Sequence, residues 1–167
     1  LEPLVHGGRQ EHGLRAGTEN VAGLAGRGAA AALALHALAD APRIAALRDR
    51  LEEGVLALVP GARRNGAREA RLPNTSSLTL PGLRGEALVV ALDQHGVALS
   101  SGSACKAGSP EPTHVLLAMG LSAEEAHCSI RFSLTRETDR DDVDEALDAL
   151  RRVLAEMETT VRFLPCK

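Results

Sequence analysis

The apolar positions of this chain change period several times, and each change marks an element. From about residue 20 to 38 small and aliphatic residues run together behind Asn20, a good N-cap, so this stretch is expected to be helical. Gly23, Gly26 and Gly28 among the alanines would let another element pack very close. Asp40 followed by Pro42 opens a second helix, with Ile44, Leu47, Leu51 and Val55 as its apolar stripe and Pro60-Gly61 as its stop. Residues 61–71, rich in Arg and Gly, read as a connection holding a short strand. Residues 76–80, bounded by Pro73-Asn74 and Pro81-Gly82, read as a strand. A helix follows over 85–94, with Ala87, Leu88, Ala91 and Leu92 on one face and Gly96 past its end. Residues 97–99 then form a short strand, and residues 113–119 a helix that stops at Gly120. Ser122-Ala123-Glu124-Glu125 is a helix-start signature. Residues 129–134 alternate, so Ile130, Phe132 and Leu134 share one face and Arg131 lies on the other. The last helix is capped by Thr138, has acids at its start and Arg151 and Arg152 later, and buries Val143, Ala146, Leu147, Leu150, Val153, Leu154 and Met157.

Composition narrows what such a set of elements can do. At 167 residues the chain fits one domain, or a small domain with an attached piece, burying about two-thirds of its unfolded surface. With two Phe, no Trp and no Tyr the core must be aliphatic, and aromatic platforms for stacking bases are missing. A formal charge of -3 argues further against a phosphate-backbone footprint, so nucleic acid is not an expected partner. The apolar stretch 29–38 is short and interrupted by His36, and the first residues do not resemble a secretory signal. The expected location is therefore the cytoplasm, with no membrane partner. Cys105, Cys128 and Cys166 lack C-x-x-C spacing, which suits free thiols in a reducing compartment. The chain begins with Leu1 rather than Met, as a piece of a longer protein would.

Three places carry candidate chemistry. Residues 100–112 surround Cys105 with Ser, Gly and Ala, which have no bulk to bury it, so its thiol is expected to face solvent on a loop, as a working thiol or as a structural cysteine in a flexible turn. Lys106 and a helix start after Pro112 both favour the thiolate, against a free-thiol pKa of about 8.5. Residues 6–18 are polar and Gly-rich, and Arg9, Arg15 and Thr18 could contact an anion, although the G-K-[ST] ending of a P-loop is absent. Arg131, on its strand, is the third. His127 and Cys128 are adjacent and would point apart, so no paired-ligand spacing supports a metal site. Cys128 reads as a buried small residue, His127 as a polar residue at a helix end, and His12, His36 and His95 as surface or satisfied histidines.

Taken in order, His6-Gly7-Gly8 with Gln10-Glu11, Arg15-Ala16-Gly17-Thr18-Glu19-Asn20, Ser100-Ser101-Gly102-Ser103-Ala104-Cys105, Glu111-Pro112, and Ala126-His127-Cys128-Ser129-Ile130-Arg131-Phe132-Ser133-Leu134 closely resemble the C-terminal part of cysteine desulfurases of the NifS/IscS type. The resemblance implies an α/β fold: the small C-terminal domain of a fold type I, aspartate aminotransferase-like enzyme dependent on pyridoxal 5'-phosphate (PLP), with a remnant of the large domain. Residues 1–58 would be the end of the large domain and 59–167 the small domain. It also implies that Cys105 takes sulfur from L-cysteine as a persulfide, that Arg131 binds the substrate carboxylate, and that Thr18 donates to the cofactor phosphate of the neighbouring subunit of a homodimer. Alanine would be released, and an iron-sulfur scaffold or another protein would accept the sulfur. At roughly 3.3 Å per extended residue, half of the loop between Leu99 and Thr113 spans about 20 Å, enough to carry the thiol from substrate to acceptor.

Arg9 and Thr135 depart from the family's pattern, standing where Gly is usual. The family's Schiff-base lysine belongs to the upstream large domain, and Lys106 and Lys167 are poor substitutes, one beside the thiol and one at the terminus. The chain alone is therefore expected not to hold PLP through a lysine and to be inactive without the large domain. The alternative, a cofactor-free sulfur carrier or interaction module using Cys105, leaves the anion-ready loop and Arg131 without a task.

Overall fold

The computed structural model describes residues 1–102 and 111–163, with side chains through Met157 in the second stretch. Cys105, Lys106, Cys166 and Lys167 lie outside the described residues. The chain divides into two units, Leu1–Ala39 and Asp40–Lys167.

The first unit is a polar loop leading into one helix. The loop makes a single 3-10 turn at Glu11–Gly13, and Ala16 is buried, its amide donating to Val5 O at 3.1 Å. Helix α1 is Val21–Ala37, and the expected cap is present: Asn20 Oδ1 accepts from Gly23 N at 3.0 Å. A Cβ on Gly23 would stand 2.6 Å from the Asn20 amide nitrogen, so cap and glycine depend on each other. Val21, Leu24, Leu33 and Leu35 are all exposed. Although no unbroken apolar run exists, the helical stretch Val21–Leu58 contains a window of mean hydropathy 1.4, long and apolar enough by length and composition to cross a membrane.

The second unit is an antiparallel sheet with helices on it. Helix α2 (Ala41–Leu58) is followed by β1 (Arg63–Arg64), β2 (Thr75–Thr79), α3 (Gly85–Asp93), β3 (Ser100–Ser101), α4 (His114–Ala118), α5 (Ala123–His127), β4 (Ser129–Ser133) and α6 (Arg140–Phe163). The strand order is β1-β2-β4-β3, every pair antiparallel. Leu78 opposes Ile130, and Ser76 opposes Phe132, so these positions share the face that meets the helices. There Leu51 and Val55 of α2, Leu88 and Leu92 of α3, and Leu150 and Val153 of α6 close over Leu78, Leu80, Ile130 and Phe132. Each such side chain fully removed from water contributes about 1.5–3 kcal/mol, which makes this aliphatic layer the main stabilising element. The intervening positions, Thr75, Ser77, Thr79, Ser129, Arg131 and Ser133, necessarily point the other way.

Two expectations shift. Residues 97–99 are not a strand, because Val97 N is spent on the end of α3, donating to Leu92 O at 3.0 Å; pairing with β4 begins only at Ser100. Thr138 does not cap α6. Asp139 does, its Oδ1 accepting from Asp142 N while Asp142 Oδ2 accepts from Asp139 N, both at 3.0 Å, and Thr138 Oγ1 instead accepts from Thr135 N. The expected division at 58/59 concerns two domains of a whole enzyme; within this chain α2 packs against α6 in the second unit.

Candidate functional site

Arg131 stands in the middle of a row that crosses three strands, with Ser77 of β2 opposite it on one side and Ser100 of β3 on the other. Because Ile130 and Phe132 turn into the core, Arg131 must project from the polar face of the sheet, where it is half-buried. Its Nη2 donates to Ser100 Oγ at 3.3 Å. The hydroxyls on the β2 side of Arg131 are tightly satisfied. Asn65 Nδ2 donates to Ser77 Oγ at 3.2 Å and to Ser129 Oγ at 3.3 Å, Thr79 Oγ1 donates to Asn65 Oδ1 at 2.8 Å, and Ser129 Oγ donates to Glu125 O at 2.7 Å. A buried polar network in which each member has a partner fixes geometry rather than costing stability.

The charge on Arg131 is treated differently from the others in this unit. Four of its described arginines are not fully exposed: Arg48, Arg64, Arg71 and Arg131. Arg48 meets Asp49 at 2.8 Å, Arg64 meets Glu52, and Arg71 meets both Glu52 and Asp49. Among the described residues Arg131 meets no carboxylate. Glu52 is completely buried; burial pushes its carboxyl up, but hydrogen bonds led by the one from Arg71 outweigh this and bring it down to about 2. The Glu52 cluster is closed on itself, whereas among the described residues the Arg131 side chain meets the neutral Ser100 hydroxyl.

The strand beside Arg131 leads into the segment that carries Cys105. Gly102 N donates to Ser129 O at 3.1 Å, and a Cβ at Gly102 would lie 3.0 Å from Thr113 Cγ2 and 3.1 Å from Leu116 Cδ1. Residues 102 and 113 therefore sit side by side, and a larger residue at 102 would crowd the Thr113 and Leu116 side chains. Cys105 itself is outside the described residues.

Thr18 belongs to the first unit. It is exposed, and its backbone carbonyl accepts from Arg15 Nη1 at 3.5 Å, which brings the Arg15 guanidinium to the same residue. That donor set fits a phosphate; the lysine that would hold PLP covalently has no counterpart among the described residues, since Lys106 and Lys167 are the chain's two lysines. Cys128 is buried, with Sγ 3.8 Å from Glu124 Oε1, and His127 ends α5. Asn65 and Ser77 escape a reading of the sequence, because only the strand register shows that they flank Arg131.

In this α/β unit the sheet sets a guanidinium with no carboxylate partner among the described residues beside the strand that leads toward Cys105. The chain belongs to the class-V aminotransferase family, whose model matches residues 6–146. It is 48% identical over 164 residues to a cysteine desulfurase of Gluconacetobacter diazotrophicus, covering 98% of this chain and 41% of that protein. It is 44% identical over 158 residues to the cysteine desulfurase NifS of Azotobacter vinelandii, covering 94% and 39%. A solved NifS-like protein superposes with a TM-score of 0.81 at 35% identity, over 93% of this chain and 40% of that one. The chain thus spans about two-fifths of the length of these relatives.

Proposed function

We propose that this chain is the part of a cysteine desulfurase that seats the substrate carboxylate and carries the sulfur-accepting thiol. The observation that supports it most is the half-buried Arg131, unpaired with any described carboxylate and joined through Ser100 to the strand that runs into the Cys105 segment. The Arg131 fork binds the carboxylate of L-cysteine. The Cys105 thiolate attacks the substrate sulfur. An S–S bond forms as the substrate C–S bond breaks, the electron pair stays with the three-carbon fragment, and protonation releases alanine. The enzyme keeps a persulfide on Cys105 for an iron-sulfur scaffold or another acceptor.

When bound, PLP supplies the electron sink this cleavage needs. Thr18, with Arg15 beside it, holds the phosphate of the cofactor in the neighbouring subunit of a homodimer. In the complete enzyme, residues 1–58 end the large domain and 59–167 form the small one, in a reducing cytoplasm that keeps Cys105 free. The exposed leucines of α1 are covered by the rest of that enzyme rather than by lipid.

The test is alanine formation from L-cysteine by the complete polypeptide that contains this segment. Activity lost in Cys105→Ala supports the proposal. Sulfur accepted on Cys105 without any alanine would point to a carrier instead. The 167-residue chain alone, incubated with PLP and borohydride, is expected to show no reduced lysine adduct by mass spectrometry.

A further inference from the structure

We infer that Ser100 is a positioning residue for the substrate carboxylate, orienting the Arg131 guanidinium; this rests on the function proposed above. On either side of Arg131 in its row stand serines, Ser77 and Ser100, each able to offer it a single hydroxyl. A guanidinium has five N–H donors in a rigid plane, so holding one of them orients the other four. Ser100 Oγ holds one, at Nη2, at 3.3 Å.

The opposite neighbour is not equivalent. Ser77 Oγ accepts from Asn65, which ties it into the Thr79 and Ser129 network, and no hydrogen bond joins it to Arg131. The guanidinium is therefore steered from the β3 side, and among the described residues no carboxylate takes its remaining donors, which suit a bidentate carboxylate. Preorganisation of this kind is felt in substrate binding rather than in the bond-breaking step. It also explains why a hydroxyl, rather than a larger group, sits at position 100. A carboxylate there would pair with Arg131 and close the seat, as Glu52 does for Arg71.

Ser100→Ala removes one oxygen from a half-buried strand position whose backbone pairing is unaffected, and Ser100→Thr keeps the hydroxyl. In the complete desulfurase, Ser100→Ala is expected to raise KM for L-cysteine about tenfold with kcat within about twofold, and Ser100→Thr to restore KM to within about twofold. A second readout uses the 167-residue chain without activity: the 15N side-chain resonances of Arg131 should show restricted Nη rotation, lost in Ser100→Ala and kept in Ser100→Thr. An unchanged KM, a fall in kcat at constant KM, or Arg131 resonances identical in all three proteins each overturns the assignment. If the unaltered enzyme makes no alanine, the desulfurase reading fails, and the resonances alone then decide whether Ser100 orients Arg131.

Discussion

Two arginine sites in the same unit answer the same problem in opposite ways. Around Glu52 the charges are closed: one buried carboxylate is held by Arg71 and Arg64, and Asp49 serves Arg48 and Arg71. At Arg131 the cation is half-buried and steered by one neutral hydroxyl, with no described carboxylate against it. Leaving a guanidinium partly desolvated and unpaired is unfavourable for folding, and it makes sense where an anion arrives from outside. The difference separates a structural charge cluster from the site proposed to take a carboxylate.

The comparison can be broken most forcefully at Glu52. Glu52→Ala leaves Arg71 and Arg64 facing each other without their anion and should destabilise the unit by about 3–5 kcal/mol in urea unfolding. Arg131→Ala should barely move that unfolding midpoint. If the two substitutions cost the same, the distinction between closed and open charge is wrong.

Acid sharpens the same contrast. Glu52 is held down at about 2, against 4.5 in an ordinary environment, so above pH 5 it is ionised whether the chain is folded or not. As pH falls from about 5 toward 2 the unfolded chain takes up a proton that the folded one refuses, and stability drops by on the order of 3 kcal/mol. Unfolding followed from pH 7 to pH 2 should show this loss, and Glu52→Gln should flatten it.

At the open site the effect falls on binding. Arg131→Ala should raise KM for L-cysteine about a hundredfold in the complete enzyme, a loss of about 2.7 kcal/mol. Arg131→Lys should recover part of that, because a point charge replaces a planar fork. The smallest expected effect lies away from both: Asp139→Ala removes the cap of α6 and should cost about 1 kcal/mol, with Thr138→Ala costing less.

Periodicity was enough to locate most elements. The stripe Ile44, Leu51, Val55 and the alternation around Phe132 follow from burial alone, and Asn20 and Ser122 cap their helices because short polar side chains reach free amides. What was hidden depends on tertiary partners. Val97 has a strand former's side chain but gives its amide to the end of α3, and Thr138 yields to Asp139 because its hydroxyl is taken by Thr135 N. The site divides in the same way. Arg131 stands out because alternation puts a cation opposite Ile130 and Phe132, whereas Ser77 and Asn65 reach its neighbourhood only through a register between strands more than fifty residues apart.

The central claim, that the segment after β3 carries a thiol to a substrate seated on Arg131, has one direct measurement. After the complete enzyme turns over L-cysteine without an acceptor, peptide mass spectrometry should find one extra sulfur on the peptide containing Cys105, in step with alanine formed and absent in Arg131→Ala at low substrate. Alanine produced with the extra sulfur on Cys128 or on no cysteine of this chain would contradict it.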